Sequence, residues 1–186
     1  MTARKTKGGC QPCGYRPGGA ILPRRGSTIY HLGLGSNQGD RRAHIEKAVQ
    51  FLQGCGRVLK RSSLYETTPL GMPGAGLFLN MVVALESERR PLELLELCRE
   101  HEVAQGRVLE NSHYKDRPID IDILLAGDTV LATPELTVPH PRLAERGFVL
   151  VPLFEIAPKL VHPLAYVTVA RLLSRLQTQE KIRRLE

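Results

Sequence analysis

Asp120 and Asp122 stand two residues apart in the run Arg117-Pro118-Ile119-Asp120-Ile121-Asp122-Ile123-Leu124-Leu125, where isoleucine alternates with aspartate. Successive side chains of a strand point to opposite faces. The alternation therefore predicts a strand with Ile119, Ile121 and Ile123 on one face and both carboxylates on the other. Two carboxylates one strand repeat apart, roughly 7 Å, repel each other and resist desolvation unless a cation lies beside them. Oxygen ligands without neighbouring cysteine favour a hard ion, and Mg²⁺ commonly takes one or two carboxylates and completes its shell with water and phosphate oxygens. The expected chemistry is Mg²⁺-assisted handling of a nucleotide. A solvated pair bonded to surface Arg or Lys would show the same alternation, so the neighbours matter. Pro118 has no N–H for a ladder and keeps Arg117 extended at the strand entrance, which sets a planar donor fork suited to phosphate beside the carboxylates.

Further candidates follow from the elements around this strand. Ser27 to Leu34 reads as a strand, and Gly33-Leu34-Gly35-Ser36-Asn37-Gln38-Gly39 as a glycine-rich turn into a helix. Gln38 stands where a dinucleotide fingerprint needs its third glycine, and the Gly-Lys-Ser/Thr of a P-loop is missing. Asp40 is the expected N-cap, Ile45, Ala48, Val49 and Leu52 share one helical face, and Gly54 is the expected stop. Arg57 to Tyr65 and Leu77 to Glu86 read as strands joined by a long Gly/Pro-rich loop over 66–76. Phe78 and Asn80 fall on one face of the second, an aromatic ring beside an amide, as a flat heterocycle with a hydrogen-bonding edge would require. An ordinary core Phe with an Asn near a turn gives the same pattern and, from these residues alone, is the preferred reading. Pro91 opens a second helix with Leu94, Leu95, Cys98 and either Glu102 or Val103 inward, ending at Gln105-Gly106 just before Arg107.

The order strand, helix, strand, strand, helix, strand is the split βαβ, ferredoxin-like arrangement of the α+β class. It predicts an antiparallel sheet with two main helices packed on one face and the other face open to loops and ligands. C-terminal additions follow. They comprise a short strand at Thr129 to Leu131, an extended Leu136 to Pro141 that fixes His140 between two prolines, and a short helix at Arg142 to Arg146. Phe148 to Ile156 is an apolar run that fits helix or strand. Thr168 caps a last helix with Val169, Leu172, Leu173 and Leu176 inward and a solvated basic end at Lys181 to Arg184.

Charge narrows the partners. The net charge of +7 concentrates in residues 1–26, which hold six of the 26 Lys and Arg and no acid, leaving 20 basic against 19 acidic residues over 27–186. The folded domain is nearly neutral, so a general affinity for nucleic acid is not expected. No apolar run approaches membrane-span length. With no hydrophobic leader, a reducing cytoplasm is the expected compartment. Residues 1–26 are expected to form a disordered tail. Its Cys10-Gln11-Pro12-Cys13 has zinc-ligand spacing but lacks the second pair that a four-ligand site needs.

Taken together, Gly35-Ser36-Asn37, Thr67-Thr68-Pro69-Leu70-Gly71, Phe78-Leu79-Asn80, Gly106-Arg107-Val108, Arg117 to Asp122, Leu136-Thr137-Val138-Pro139-His140 and Arg146-Gly147-Phe148 with Pro152 to Pro158 make a specific ordered set. In these motifs the chain resembles the 6-hydroxymethyl-7,8-dihydropterin pyrophosphokinases of folate biosynthesis over nearly all of residues 27–186. The resemblance implies a monomeric enzyme that transfers pyrophosphate from ATP to the hydroxymethyl group of the dihydropterin and releases AMP. It implies Asp120 and Asp122 as ligands of two Mg²⁺ ions, with Arg107 and Arg117 completing the catalytic set. It implies Glu102, Arg107, Arg117, Ile123, Thr137, His140 and Arg146 as the ATP site, and Thr67, Thr68, Leu70, Phe78, Asn80 and Phe148 as the pterin site. The chain departs from the pattern at Tyr114, where a tryptophan is usual, and at Leu109, where an arginine is usual, and both bear on loop closure.

Two other classes fit parts of this reading. An RNA-binding module shares the strand order but needs exposed aromatics with basic neighbours on its central strands, and only Phe78 meets this. A two-metal nuclease or nucleotidyl transferase would use the same aspartate pair. AMP release that depends on the dihydropterin separates the kinase from both.

Overall fold

The computed structural model describes residues 23–70, 74–108 and 116–185. The expectations for Cys10, Cys13, Leu109, Tyr114 and most of the tail lie outside these residues. Strand β1 (Thr28–Ser36) is central, and its inward side chains Tyr30, Leu32 and Leu34 are fully or almost fully buried. Helix α1 (Arg41–Cys55) starts where Asp40 accepts the Ala43 N–H at 3.0 Å, which satisfies one free donor of the first turn. Its buried row is Ile45, Ala48, Val49 and Leu52, as the spacing predicts. The helix passes through Gly54 and ends at Cys55 with Gly56 as its C-cap, two residues beyond the expected stop.

The expected strand from Arg57 to Tyr65 is instead two, β2 (Arg57–Arg61) and β3 (Tyr65–Thr67). Both pair with β4 (Phe78–Ser87), β2 near its end and β3 near its start. Between them Ser62 donates its N–H to the Val82 carbonyl at 2.9 Å, and its hydroxyl accepts the Val82 N–H at 3.0 Å. A side chain thus replaces one rung of the ladder, and alternation alone does not reveal that break.

Helix α2 (Pro91–Ala104) buries Leu94, Cys98 and Glu102 and leaves Val103 exposed. Strand β5 (Asp120–Ala126) follows. With Ile182–Arg184 as β8, the sheet runs in the order β5-β1-β4-β3-β8, with β2 also on β4, and every pairing is antiparallel. Residues of α1 and α2 pack on one face against Ile119, Ile121 and Ile123. Each of these isoleucines contributes on the order of 1.5–3 kcal/mol by leaving water.

The opposite face is not open along its whole length. Helix α3 (Gly147–Ile156) and helix α4 (Val169–Arg175) cover one end, packing Leu150, Leu153 and Leu172 on Val82, Ala84 and Leu124. Placed between sheet and α4, α3 is apolar on most sides, which is why its sequence fitted helix or strand. Before it, β6 (Leu131–Ala132) and β7 (Thr137–Val138) form a separate ribbon, and Leu143–Glu145 makes one 3₁₀ turn in place of a longer helix.

Two further expectations are corrected. Gly33 and Gly35 are not turn residues: both lie within β1, opposite Asp122 and Asp120 on β5. Lys181 to Arg184 is not the end of the last helix, which stops at Arg175; Ile182–Arg184 forms β8, an edge strand on β3. Among the described residues no helix is long and apolar enough to cross a membrane.

Candidate active site

The uncovered end of the second sheet face is the floor of a cleft of about 960 Å³. Register determines what stands on it. Gly35 is paired with Asp120 on one side and with Asn80 on the other, so the three form a row across β5, β1 and β4. Gly33 makes the next row with Asp122 and Val82. With no Cβ at Gly35 the middle of the floor stays open; a Cβ there would lie 3.2 Å from Asn80 Oδ1. The carboxylates therefore face the amide across a glycine gap, with Phe78 beside it.

Asp120 is bonded to two guanidinium groups. Its Oδ1 accepts from Arg107 at 2.6 Å and its Oδ2 from Arg117 at 2.7 Å. Arg107 also pairs with Glu102 at 2.5 Å, and Glu102 Oε1 accepts the Ile121 N–H at 2.6 Å. Glu102 is 3% exposed and lies behind the cleft wall. Burial first, and then the charge of Asp120, push its carboxyl up to about 7 against the pull of Arg107 and the Ile121 N–H. Arg117 is held by its backbone: Asn37 Oδ1 accepts the Arg117 N–H at 2.8 Å, and Asn37 Nδ2 donates to Asp116 at 2.5 Å. Asn37 thus ties the end of β1 to the segment that delivers Arg117.

Asp122 faces Arg146 at 3.8 Å. Although 38% of its side chain opens into the cleft, loss of hydration and then the charge of Asp120 raise its carboxyl well above the ordinary carboxylate range. A carboxylate raised in this way is stabilised by a cation, and the all-oxygen donors of Asp120 and Asp122 suit a hard one. No group of three or more His, Cys, Asp or Glu that could hold a metal occurs among the described residues. That donor set fits an ion which takes its remaining ligands from water and phosphate, and does not form a closed protein cage.

His140 lines the cleft, with its backbone N–H donating to the Leu124 carbonyl at 2.9 Å. Burial, then the charges of Arg146 and Arg142, lower its imidazole to about 4, so it is neutral near pH 7. Its Nδ1 accepts the Arg142 N–H at 3.1 Å. By that geometry the ring proton sits on Nε2, which makes His140 a hydrogen-bond donor to the cleft without a charge.

Thr67, Thr68, Leu70, Phe78, Asn80 and Phe148 form the other half of the wall. Asn80 Nδ2 donates to Thr67 Oγ1 at 2.8 Å, a buried bond that fixes the amide plane. The structure thus gathers the expected residues into one cavity, with three exceptions. Glu102 sits behind it, Ile123 belongs to the core beneath the helices, and Thr137 is on the β6–β7 ribbon. Sequence reasoning missed Gly35, Asn37 and Arg142. The i, i+2 spacing of Gly33 and Gly35, matching that of Asp120 and Asp122, is a strand signal that could have revealed the floor.

Comparison with known proteins gives the family and the fold. A family model described as 7,8-dihydro-6-hydroxymethylpterin-pyrophosphokinase matches residues 31–158. A relative from Porphyromonas gingivalis named 2-amino-4-hydroxy-6-hydroxymethyldihydropteridine pyrophosphokinase is 45% identical over 142 residues, covering 74% of this chain and 96% of its own. One of the same name from Aquifex aeolicus is 43% identical over 138 residues, covering 74% of this chain and 85% of its own. Among solved structures, wild-type Plasmodium falciparum HPPK-DHPS with pteroate shares the fold, with a TM-score of 0.65 at 15% identity over 80% of this chain. This chain spans 44% of that longer one. With the matched region running from β1 through α3 and the bacterial relatives similar over most of their length, the chain belongs to the 7,8-dihydro-6-hydroxymethylpterin-pyrophosphokinase family.

Proposed function

We propose that this cleft is the active site in which pyrophosphate passes from ATP to the hydroxymethyl group of 6-hydroxymethyl-7,8-dihydropterin, the step of folate biosynthesis that releases AMP. The observation that carries the reading is the row Asp120, Gly35, Asn80. One sheet face presents a cation-hungry carboxylate pair and, one open position away, a fixed amide beside an aromatic ring.

The pterin lies between Phe78 and Phe148, with its hydrogen-bonding edge on Asn80 and on the backbone near Thr67 and Leu70. The rigid Asn80–Thr67 bond presents one amide orientation, which favours a heterocycle with the complementary edge. The triphosphate lies over Asp120 and Asp122. Arg107, Arg117 and Arg146 carry the positive charge, and His140 adds a neutral Nε2–H donor. Ile123 offers ATP only its backbone. In the free protein Arg107 and Arg117 rest on Asp120, which holds both forks at the height where phosphate oxygens arrive.

Asp120 and Asp122 hold Mg²⁺, two ions in this reading, which when bound neutralise phosphate charge and orient the triphosphate. The chain itself supplies position and electrostatics: guanidinium groups aimed where charge develops, and a pterin pocket that sets the hydroxymethyl oxygen in line with the β-phosphorus. We also read the sheet order as the ferredoxin-like arrangement, and expect a monomer working in the cytoplasm.

AMP release from ATP and Mg²⁺, followed by chromatography with and without the dihydropterin, tests the reading. Release only with the dihydropterin is expected. Release without it would point to a hydrolase or nucleotidyl transferase, and no release with all components present would overturn the assignment.

A further inference from the structure

Helix α3 begins inside the cleft. Arg146, its N-cap residue, and Phe148 both line the cavity, and the Arg146 guanidinium lies 5.4 Å from the Phe148 ring centroid. The first turn of a helix leaves backbone N–H groups without intrahelical partners, and a side-chain oxygen at the N-cap usually accepts one of them. Arg146 has only donors and makes no such bond. The acceptor comes from 32 residues downstream, where Glu180 Oε2 takes the Phe148 N–H at 3.2 Å. A carboxylate is suited to that end of the helix dipole. Gly147 allows the approach, because a Cβ there would run into Glu180 Oε2 and lie 2.7 Å from Ile182 Cδ1.

The next residue ties the same segment to the opposite wall. The Lys181 carbonyl accepts the Thr68 N–H at 3.2 Å, and the Lys181 backbone N–H donates to Thr68 Oγ1 at 3.1 Å. Strand β8 continues the attachment along β3, with Ile182 opposite Thr67. Residues 180–182 therefore bridge Phe148 on α3 and Thr67-Thr68 on β3. The family match ends at residue 158, so this bridge is built by chain beyond the matched region.

We propose that Glu180 is a positioning residue for the dihydropterin: as the acceptor for α3, it fixes where Phe148 stands, and with Lys181 it sets the gap between Phe148 and Thr68. The proposal rests on the reading of Phe148 as a wall of the pterin site.

Steady-state KM values for both substrates, measured on the full chain with a thermal melt for each variant, test it. Glu180→Ala should raise the KM for dihydropterin roughly tenfold, as loss of a charged acceptor implies, while the KM for ATP stays within about twofold. Glu180→Gln keeps an oxygen acceptor and should recover most of that loss. Gly147→Ala displaces Glu180 without removing it and should raise the dihydropterin KM in the same way. Because both changes disrupt the shared Glu180–Phe148 contact, the double variant should be no worse than the worse single. An unchanged dihydropterin KM in Gly147→Ala or in Glu180→Ala overturns the proposal, as does a Glu180→Gln variant as impaired as Glu180→Ala. Phe148→Ala separates this from the site reading. If it leaves the dihydropterin KM unchanged, the pocket assignment fails; if it raises that KM and Glu180→Ala does not, only the role of Glu180 fails.

Discussion

Glu102 accepts the backbone N–H of Ile121 at 2.6 Å, so a buried carboxylate from α2 pins the peptide between the two aspartates of β5. The strand cannot slide or roll without breaking that bond. The same carboxylate pairs with Arg107 and so couples the position of the aspartates to that of a cleft-lining guanidinium.

Burial gives this carboxyl a pH signature. The carboxyl of Glu102 rises from an ordinary 4.5 to about 7 in the folded protein, so between those values the folded state binds more protons than the unfolded one. Stability from this group is fully present below about pH 4.5 and is lost as pH rises through about 7, by up to about 1.4 kcal/mol per pH unit. Glu102→Gln keeps an acceptor for Ile121 and removes the titration. Urea melts across pH 4 to 8 should show a flatter pH dependence over this window in the variant than in the wild type; parallel curves would contradict the assignment.

Asp122→Ala should lose Mg²⁺-dependent turnover by at least ~100-fold, a typical scale for removing a transition-state electrostatic contact, while keeping the wild-type fold by circular dichroism. Asp120→Ala should lose activity as completely and also lose stability by about 1–3 kcal/mol, since Arg107 and Arg117 would each lose one carboxylate partner, Arg107 keeping Glu102. Retained Mg²⁺-dependent AMP release in either variant would refute the ligand role.

Asn80→Ala removes the amide held by Thr67. A site built to bond a heterocycle edge loses specificity when that partner goes, so the dihydropterin KM should rise by roughly 10–100-fold with little change for ATP. Equal losses for both substrates would place Asn80 elsewhere.

Gly35→Ala tests the floor directly. An alanine Cβ would press on Asn80 Oδ1 at 3.2 Å, whereas at Gly33 the added carbon meets Leu124 at an ordinary 3.5 Å. Gly35→Ala should weaken dihydropterin binding severalfold in a calorimetric titration, with a melting temperature close to wild type, because a strand accepts alanine. Similar affinity in both proteins would show that the amide row tolerates a filled floor.

Local pattern carried much of this protein. The period-two isoleucines of β5, the capped α1 with its buried row, the α2 start at Pro91 and the order of elements were legible because each depends on residues a few positions apart. Most of the candidate cleft residues could likewise be named from short motifs. Tertiary structure alone decided that Gly33 and Gly35 are floor and not turn, because that depends on the register of β1 against β4 and β5. It also selected Glu102 over Val103 for the interior and made His140 a neutral donor, since Arg142, Arg146 and burial act on it together. The basic C-terminal residues became an edge strand for the same reason. The Lys181–Thr68 bond spans 113 residues of chain, and a contact at that separation leaves no periodic trace in either of the segments it joins.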